Sequence, residues 1–268
     1  MTATRSAGRV EFYPLKPRAL EVAAVRRITP RMIQVVLVGD DLAGFRTDNH
    51  ADHVKLFFPE EGTGRHVMPV MVEDERWNIR AEGIVFRDYT VRRYDARAGE
   101  LVVDFVAHEH GPAGRWAAQA RPGQVLGVLG PRGTRFPPTG FDYHLVAADE
   151  TALPAALRLI EGLAPDAVVH AFLEVVDAAE EQEVAAPRGA RITWVHRGDA
   201  EPGTTDVLER ALRAWRPPEG SGFAWAAGEA DSLKPIRGLL KEYGFVRGES
   251  AETDGYWRRG AVNLDHHA

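Results

Sequence analysis

The segment RDYTVRRYD, residues 87–95, combines several guanidinium groups with aromatic rings. Aromatic and β-branched residues at its centre, with no Gly or Pro, predict a strand. Strict alternation then places Arg87, Tyr89 and Val91 on one face. A planar charged fork beside an aromatic ring suits a ligand that has both a phosphate and a flat ring system. Taken alone, the pair favours the simpler interpretation of a solvated strand face, so other residues must decide.

A run of small residues follows about twenty positions later, in HEHGPAGRWAAQARPG. Gly111 to Gly114 predict a loop that leads into a helix over residues 115–120, whose first backbone N–H groups could receive an anion. An ordinary turn containing Pro and Gly is the alternative. His108 and His110 have a spacing that a metal could use, but no carboxylate cluster accompanies them. We therefore expect a ligand-facing or solvent role for these histidines and no metal site.

The composition limits what kind of protein this is. The chain has 268 residues, of which 44% are hydrophobic and 27% are charged, so it can bury a core and is long enough for two domains. A net charge of −6 argues against binding to nucleic acid, so any anion site must be a local concentration of Arg and Lys. The absence of Cys excludes disulfides and Cys-ligated zinc or iron–sulfur clusters.

The elements that must position these residues change in character along the chain. From about Leu20 to Phe136, short alternating apolar segments separated by Gly, Pro and Asp turns predict a small antiparallel barrel or sandwich. After that, strands such as YHLVAA, VVHAFLEVV and GFAWAAG alternate with helical stretches, which predicts βα units and a mostly parallel sheet. We expect the two domains to comprise residues 15–138 and 139–268.

The N-terminal residues carry scattered charges without an apolar stretch, and no run of 18 apolar residues occurs anywhere. We therefore expect no secretory signal, no membrane partner and a cytoplasmic location.

Six motifs, in order over roughly residues 20–260, carry a resemblance to a known family: RDYTVRRYD, VAHEHGPAGRWA, GPRG, ADETALPAA, WAAGEA and GYWRRG. The chain resembles the siderophore-interacting proteins, flavin-dependent ferric-siderophore reductases of the ferredoxin-reductase-like group. The resemblance implies an N-terminal FAD-binding antiparallel β-barrel and a C-terminal Rossmann-like α/β domain for NAD(P)H. The activity that it implies is reduction of ferric siderophores to release iron(II), with electrons from NAD(P)H or from a protein such as a ferredoxin.

The resemblance also implies which residues bind FAD. Arg87 would contact the pyrophosphate, and Tyr89 would pack near the flavin and ribityl chain. Alternation points Thr90 away from Tyr89, so Thr90 would act through its backbone or at a local twist or bulge. The full set implied for FAD is Arg87, Tyr89, Thr90, Val91, His108, Gly111, Ala113, Gly114 and Trp116.

The first turn of the second domain reads ADETALPA instead of the G-x-G-x-x-G of a Rossmann fingerprint. An Asp and a Glu here would repel a pyrophosphate. The resemblance nevertheless places Thr151 and Ala152 near the nicotinamide nucleotide, and Glu229 in the active-site turn of the family. A helix cap over residues 149–151 and a plain strand-to-helix turn at 228–229 are the alternatives.

An anionic ferric siderophore of the catecholate type would require a basic pocket. The resemblance favours Lys55 and Arg132. Arg247, Arg258 and Arg259 are further candidates, and of these we expect Arg247 to contribute. Each one taken alone is as compatible with a solvated surface charge.

The implied chemistry is centred on the flavin, and the sequence contains no G-x-S-x-G, H-E-x-x-H or Walker motif that would indicate a catalytic side chain. Two alternatives remain open. One is a general flavin reductase or an electron-transfer reductase that serves a protein partner. The other is a protein that binds a siderophore or a nucleotide without turnover.

Overall fold

The computed structural model describes residues 5–60, 67–73, 76–108 and 111–262. The chain divides into two compact units. One comprises Val10–Arg135, and the other contains the described residues before Val10 and after Arg135. The segment up to residue 136 forms β1 (Arg9–Phe12), β2 (Pro17–Thr29), β3 (Met32–Val38), β4 (His53–Phe58), β5 (Met71–Glu73), β6 (Arg76–Trp77), β7 (Val85–Thr90), β8 (Arg93–Asp95), β9 (Glu100–Val106), helix α1 (Pro112–Gln119), β10 (Val125–Leu129) and β11 (Gly133–Phe136).

The first unit is built on a seven-stranded sheet with the order β7-β4-β10-β2-β3-β9-β8, in which every neighbouring pair is antiparallel. Alternate residues of its strands face a common apolar core that includes Leu20, Leu37, Leu56 and Phe105. Helix α1 packs against β3, β4, β7 and β9 and adds Ala113 and Ala117 to the same core.

The two edge strands of this sheet, β7 and β8, are separated in the chain by only Val91 and Arg92. The Val91 N–H donates to the carbonyl of Asp52, just before β4, at 2.9 Å. The next N–H, that of Arg92, donates to the carbonyl of Val102 in β9 at 3.0 Å. The backbone therefore changes its pairing partner here, and the sheet must curl until its edges approach each other, as in a barrel.

This corner corrects the expectation of a single strand over residues 87–95. The segment is two strands that meet at the corner, because Val91 is drawn into the core with no exposed surface. Thr90, which alternation alone points outward, is the last residue of β7 and is buried at the corner. The expected helix over 115–120 begins earlier, at Pro112, because Pro at the first helical position has the required φ and no N–H to satisfy.

The second unit alternates strands and helices. Its elements are β12 (Tyr143–Ala148), α2 (Leu153–Glu161), β13 (Val168–Val175), β14 (Gly189–His196), α3 (Val207–Ala214), β15 (Gly222–Glu229), α4 (Leu233–Glu242) and β16 (Ala251–Trp257). The five strands form a parallel sheet with the order β14-β13-β12-β15-β16. The order reverses between β12 and β15, which is the point where such sheets bind ligands at the carboxyl ends of their strands.

Helices α3 and α4 cover one face of this sheet through a core that includes Phe172, Trp215, Ile236 and Leu240. Every residue of β15 after Gly222 is buried, as expected for a central parallel strand covered on both faces. Strand β16 has no prediction in the sequence, because its segment AETDGYW alternates weakly and contains a Gly. None of the described helices is long and apolar enough to cross a membrane.

Candidate functional site

Arg87 has a position that the structure does not explain by internal contacts. It pairs across the sheet with Leu56, whose side chain lies in the barrel core, and its neighbours Val85 and Tyr89 pack against that core. The guanidinium is half-buried and donates to the Phe86 carbonyl at 2.6 Å, and within the described ranges no carboxylate lies at ion-pair distance from it. Burial lowers its pKa from the ordinary value. A charge in this position requires an anion.

The neighbouring arginines differ from Arg87 because each has a carboxylate on β9 or at its start. Arg92 lies 3.6 Å from Asp104, and Arg93 lies 3.7 Å from Glu100. The charges of Arg92 and Arg93 are therefore balanced within the fold, whereas the half-buried Arg87 has no such carboxylate among the described residues.

The residues around Arg87 form an aromatic wall. The ring of Tyr89 lies 4.3 Å from that of Phe105, measured between centroids, and the ring of Trp116 lies 5.7 Å from Phe105 and 5.6 Å from Phe58. Burial raises the pKa of the Tyr89 hydroxyl, so this side chain stays neutral. The structure thus brings Tyr89, Val91, Ala113 and Trp116 together around one core.

Helix α1 packs against β7, the strand that carries Arg87. Gly111 precedes the helix with a φ of 91°, which disfavours any other residue. A Cβ on Gly114 would lie 2.5 Å from the carbonyl oxygen of His108, so this position also requires glycine. The N-cap residue Gly111 supplies no side-chain cap, and the first turn of the helix contains no acidic residue. Its first N–H groups have no partner within the helix and can receive an anion. His110 lies outside the described residues.

These observations fit FAD in the first unit. Arg87, which has no carboxylate partner among the described residues, and the N–H groups at the start of α1 supply two ways to hold a pyrophosphate, and the partly exposed rings of Tyr89 and Trp116 can contact a flat ring.

Lys55 points to the other face of the sheet, because Asp88, its partner across β4 and β7, alternates with Arg87. The Lys55 ammonium lies 2.8 Å and 3.0 Å from the two oxygens of Asp88 and 4.8 Å from the ring centre of Phe86. The exposed Arg132 follows strand β10, whose last residue, Leu129, pairs with Lys55. The structure thus brings Lys55 and Arg132 to neighbouring parts of one unit.

Arg247 lies elsewhere. It follows α4 and precedes β16, at the amino ends of the parallel strands of the second unit. Arg258 and Arg259 follow β16 and lie at the carboxyl ends, where the Arg258 guanidinium is 3.8 Å from Asp231. By their position at the ends of the strands where such sheets bind ligands, Arg258 and Arg259 are better candidates than Arg247 for binding the ferric substrate.

In the second unit, Asp149 is a junction of backbone and side-chain hydrogen bonds at the carboxyl end of β12. Its Oδ1 accepts from the N–H groups of Thr151 (2.9 Å) and Ala152 (3.3 Å) and from the Thr151 hydroxyl (2.5 Å). Its Oδ2 accepts from the N–H of Glu229 and from the indole of Trp257, both at 2.8 Å. Gly228 is required beside it, since a Cβ there would lie 2.6 Å from Oδ2.

Glu229 has a similar role at the end of β15. Its Oε2 accepts from the N–H groups of Asp231 (2.8 Å) and Ser232 (2.7 Å), and its Oε1 accepts from the N–H of Arg259 (3.1 Å). Ala152 has no exposed surface. The side chains of Thr151 and Glu229 therefore hold these turns in shape, and the expected contact of Thr151, Ala152 and Glu229 with a nucleotide stays a prediction.

A cavity of about 710 Å³ opens at the carboxyl ends of this sheet, which is large enough for a nucleotide. Its wall includes Glu150, Glu174, Arg197, Glu229 and the first residues of α3 and α4. The buried Arg197 donates to both oxygens of Glu150, at 2.6 Å and 2.7 Å. The sequence alone predicts no role for Glu174 or Arg197. A Glu near the end of a mostly apolar strand is a signal that could have identified Glu174.

The fold is that of a two-domain flavoprotein of the ferredoxin-reductase type. It consists of an antiparallel barrel followed by a parallel sheet whose strands, counted in chain order within the sheet, are arranged 3-2-1-4-5. A ferredoxin NADP+ reductase from Neisseria gonorrhoeae shares this fold with a TM-score of 0.61 at 16% identity, over 90% of this chain and 99% of that chain. Residues 21–135 match the siderophore-interacting FAD-binding domain, and residues 141–260 match the siderophore-interacting protein domain. The chain belongs to the siderophore-interacting protein family.

Individual relatives agree with this assignment. The chain is 33% identical over 264 residues to ferric vibriobactin reductase ViuB from Vibrio cholerae, covering 96% of this chain and 95% of the relative. It is 35% identical over 233 residues to an NADPH-dependent ferric-chelate reductase from Escherichia coli, covering 83% and 85%. The structure of a siderophore utilization protein from T. fusca superposes with a TM-score of 0.94 at 64% identity, over 97% of this chain and all of that one.

The family and the two-domain fold predicted from the sequence are thereby confirmed. The assignments of individual site residues and the domain limits at residues 138 and 139 stay predictions.

Proposed function

We propose that this protein is an FAD-dependent reductase that uses NAD(P)H to reduce ferric siderophores and releases the metal as iron(II). The observation that carries the proposal is Arg87 on the inner face of the barrel, on a strand against which α1 packs and with no carboxylate at ion-pair distance among the described residues, in a chain of the siderophore-interacting family. A bound flavin supplies the conversion between a two-electron donor and a one-electron acceptor. Each NAD(P)H can therefore reduce two ferric complexes.

The chain itself binds and orients the reactants. Arg87 and the N–H groups of α1 hold the pyrophosphate, while Tyr89 and Trp116 restrict the flavin side of the site. Val91 and Ala113 are buried in the core, so they act by shaping the corner and the helix start. The residues proposed to form the FAD site are Arg87, Tyr89, Thr90, Val91, His108, Gly111, Ala113, Gly114 and Trp116.

The nucleotide donor would meet the turns held by Thr151, Ala152 and Glu229. Because the side chains of Thr151 and Glu229 already bond within the protein and Ala152 is buried, we propose that these residues position the backbone around the nicotinamide and make no charged contact with it. A ferredoxin-like protein is the alternative donor. We assign FAD binding to residues 15–138 and the donor site to residues 139–268.

The ferric substrate is proposed to be an anionic complex of the catecholate type. Lys55 and Arg132, and one C-terminal arginine among Arg247, Arg258 and Arg259, would supply the attraction. Lys55 forms an ion pair with Asp88, so the ferric complex has to compete with that carboxylate for the ammonium. A catecholate complex carries several negative charges and can do so.

The test is the visible spectrum of the purified protein, followed without oxygen. After FAD is added and excess is removed, we expect flavin bands that bleach with NADH or NADPH and return when a ferric triscatecholate is added. Arg87→Ala should weaken FAD binding by about tenfold to a hundredfold, the value of a lost charge-assisted pair. Arg93→Ala is the matched control, because Arg93 is exposed and its partner is the exposed Glu100.

Each alternative has its own outcome. Equal rates with free flavin or a ferredoxin and with the ferric complex would indicate a general electron-transfer reductase. Binding of the ferric complex without return of the flavin bands would indicate a binding protein. A protein that takes up no FAD would refute the proposal.

A further inference from the structure

Glu174 occupies a distinctive place in the second unit. It lies one residue before the end of β13, the second strand of the parallel sheet in chain order and a direct neighbour of the first strand, β12. It is only 7% exposed and lines the cavity at the carboxyl ends of the strands. In Rossmann-type sheets, a carboxylate about 20 residues after the first turn accepts a hydrogen bond from the ribose 2′-hydroxyl of NAD. Glu174 follows Asp149 by 25 positions.

The other carboxylates that line the cavity already have partners. Asp149 and Glu229 accept backbone N–H groups, and Glu150 is paired with Arg197. The exposed acids at the cavity rim also have partners: Asp206 pairs with Arg210, Glu209 with Arg213, and Asp231 with Lys234. Over the part of the chain that the structure describes, Glu174 is the cavity carboxylate for which no hydrogen bond or ion pair is recorded.

A buried carboxylate without a partner is unfavourable, because burial removes its hydration. Burial and the nearby charges of Asp149 and Glu150 raise the pKa of Glu174 to about 7. The positive charge of Arg197 has the opposite effect and lowers this pKa. A ligand that donates a hydroxyl to Glu174 and brings no further negative charge would satisfy this group.

The arginines of the cavity already have carboxylate partners, with which a phosphate would have to compete. Recognition of NADP by such folds relies on an Arg near the 2′-phosphate. Here the two arginines that line the cavity are engaged, Arg197 with both oxygens of Glu150 and Arg210 with Asp206 at 3.1 Å. A 2′-phosphate carries between about one and a half and two negative charges at neutral pH, and it would meet Glu174 without compensation.

We infer that Glu174 accepts a hydrogen bond from the 2′-hydroxyl of the adenosine ribose and thereby makes this protein select NADH over NADPH. The inference rests on the proposed function, and it separates this chain from the relative that is named NADPH-dependent. Glu174 is a specificity-determining residue, and the nicotinamide chemistry does not depend on its charge.

The experiment measures binding as well as turnover. Isothermal titration calorimetry at pH 8 compares NAD+ with NADP+ on the FAD-loaded protein, and stopped-flow spectroscopy compares reduction of the bound flavin by NADH and NADPH. We expect the wild-type protein to bind NAD+ at least about tenfold more tightly than NADP+, the value of a hydrogen bond to a charged group. In Glu174→Gln the ratio should fall to about threefold or less. Glu219→Gln, an exposed glutamate of the same unit outside the cavity, should retain the wild-type ratio.

The outcomes separate the inference from the proposed function. A wild-type protein that binds NADP+ as tightly as NAD+ overturns the inference without any variant. A Glu174→Gln protein that folds and keeps the full preference overturns the role of Glu174. If neither nucleotide binds while a ferric triscatecholate reoxidises flavin reduced by dithionite, the inference fails and ferric reduction stands. If no FAD binds, the proposed function fails.

Discussion

The helix start in the first unit and those at the carboxyl end of the parallel sheet differ in whether a side chain accepts their free N–H groups. Helix α1 begins at Pro112, its N-cap Gly111 supplies no side-chain cap, and it packs against the strand that carries Arg87, for which the described residues offer no carboxylate partner. In the second unit, Asp149 and Glu229 accept the N–H groups at the turns before α2 and α4. The first region is arranged to receive an anion from outside, whereas the second supplies its own carboxylates.

The difference explains why a pyrophosphate-binding glycine turn is missing from the second unit. Where the Rossmann fingerprint leaves N–H groups open for a phosphate, ADETALPA places the Asp149 carboxylate against them. A dinucleotide in this unit must therefore be recognised by features other than a phosphate cradle at that turn, such as the ribose contact proposed for Glu174.

The largest expected effect is a loss of stability at the carboxyl end of the parallel sheet. Asp149→Ala removes the acceptor for five hydrogen bonds in a buried position and leaves the Trp257 indole and several N–H groups unpaired. We expect the free energy of unfolding to fall by about 4 kcal/mol, which is typical of a broken buried network. Urea denaturation followed by tryptophan fluorescence measures it. Asp177→Ala is the control, since Asp177 caps one N–H, that of Ala179, at an exposed turn. A loss below about 1 kcal/mol for Asp149→Ala would contradict its role as a junction.

The next effect concerns the barrel corner. Gly114→Ala would force a methyl group against the His108 carbonyl, so we expect destabilisation of about 2 kcal/mol and weaker FAD binding, because the start of α1 must move. Gly238→Ala in helix α4 is the matched control: no atom lies within 4 Å of the added methyl, and alanine favours the helix. Thermal unfolding and FAD titration of both variants provide the comparison. Two variants that behave alike would refute the close approach at Gly114.

The smallest effect is a pH dependence that Glu174 imposes on the protein without nucleotide. Its folded pKa of about 7 exceeds the ordinary value of 4.5, so its contribution to stability is complete below pH 4.5 and is lost as the pH rises through 7. Asp149, Glu150 and Arg197 are the charged groups that face it.

Glu174→Gln should therefore be more stable than the wild type by about 2 kcal/mol at pH 8, and the difference should vanish towards pH 4.5. Urea midpoints across this pH range test it, with Glu219→Gln as the control that stays level with the wild type. A constant difference at all pH values would exclude titration of Glu174 as the cause.

Much of the fold could be predicted because it depends on local pattern. Alternating apolar residues predicted strands such as β3 and β9, and the segment YHLVAA predicted β12 with its observed limits. Strand β16 escaped prediction because its pairing with β15 compensates for a weak pattern. The corner at Val91 escaped it because the change of partner from β4 to β9 depends on how the whole sheet curls.

The sequence by itself determined the two-domain class, the family motifs and the cluster of arginines around residues 87–97, since these follow from composition, periodicity and short motifs. Only the tertiary structure decided that Arg92 and Arg93 have carboxylate partners on β9, whereas Arg87 has none among the described residues. It also decided that Asp149 accepts hydrogen bonds from Glu229 and Trp257, while Glu174 has no partner among the residues that the structure describes. Charge pairing in a folded chain depends on distances that sequence spacing does not contain.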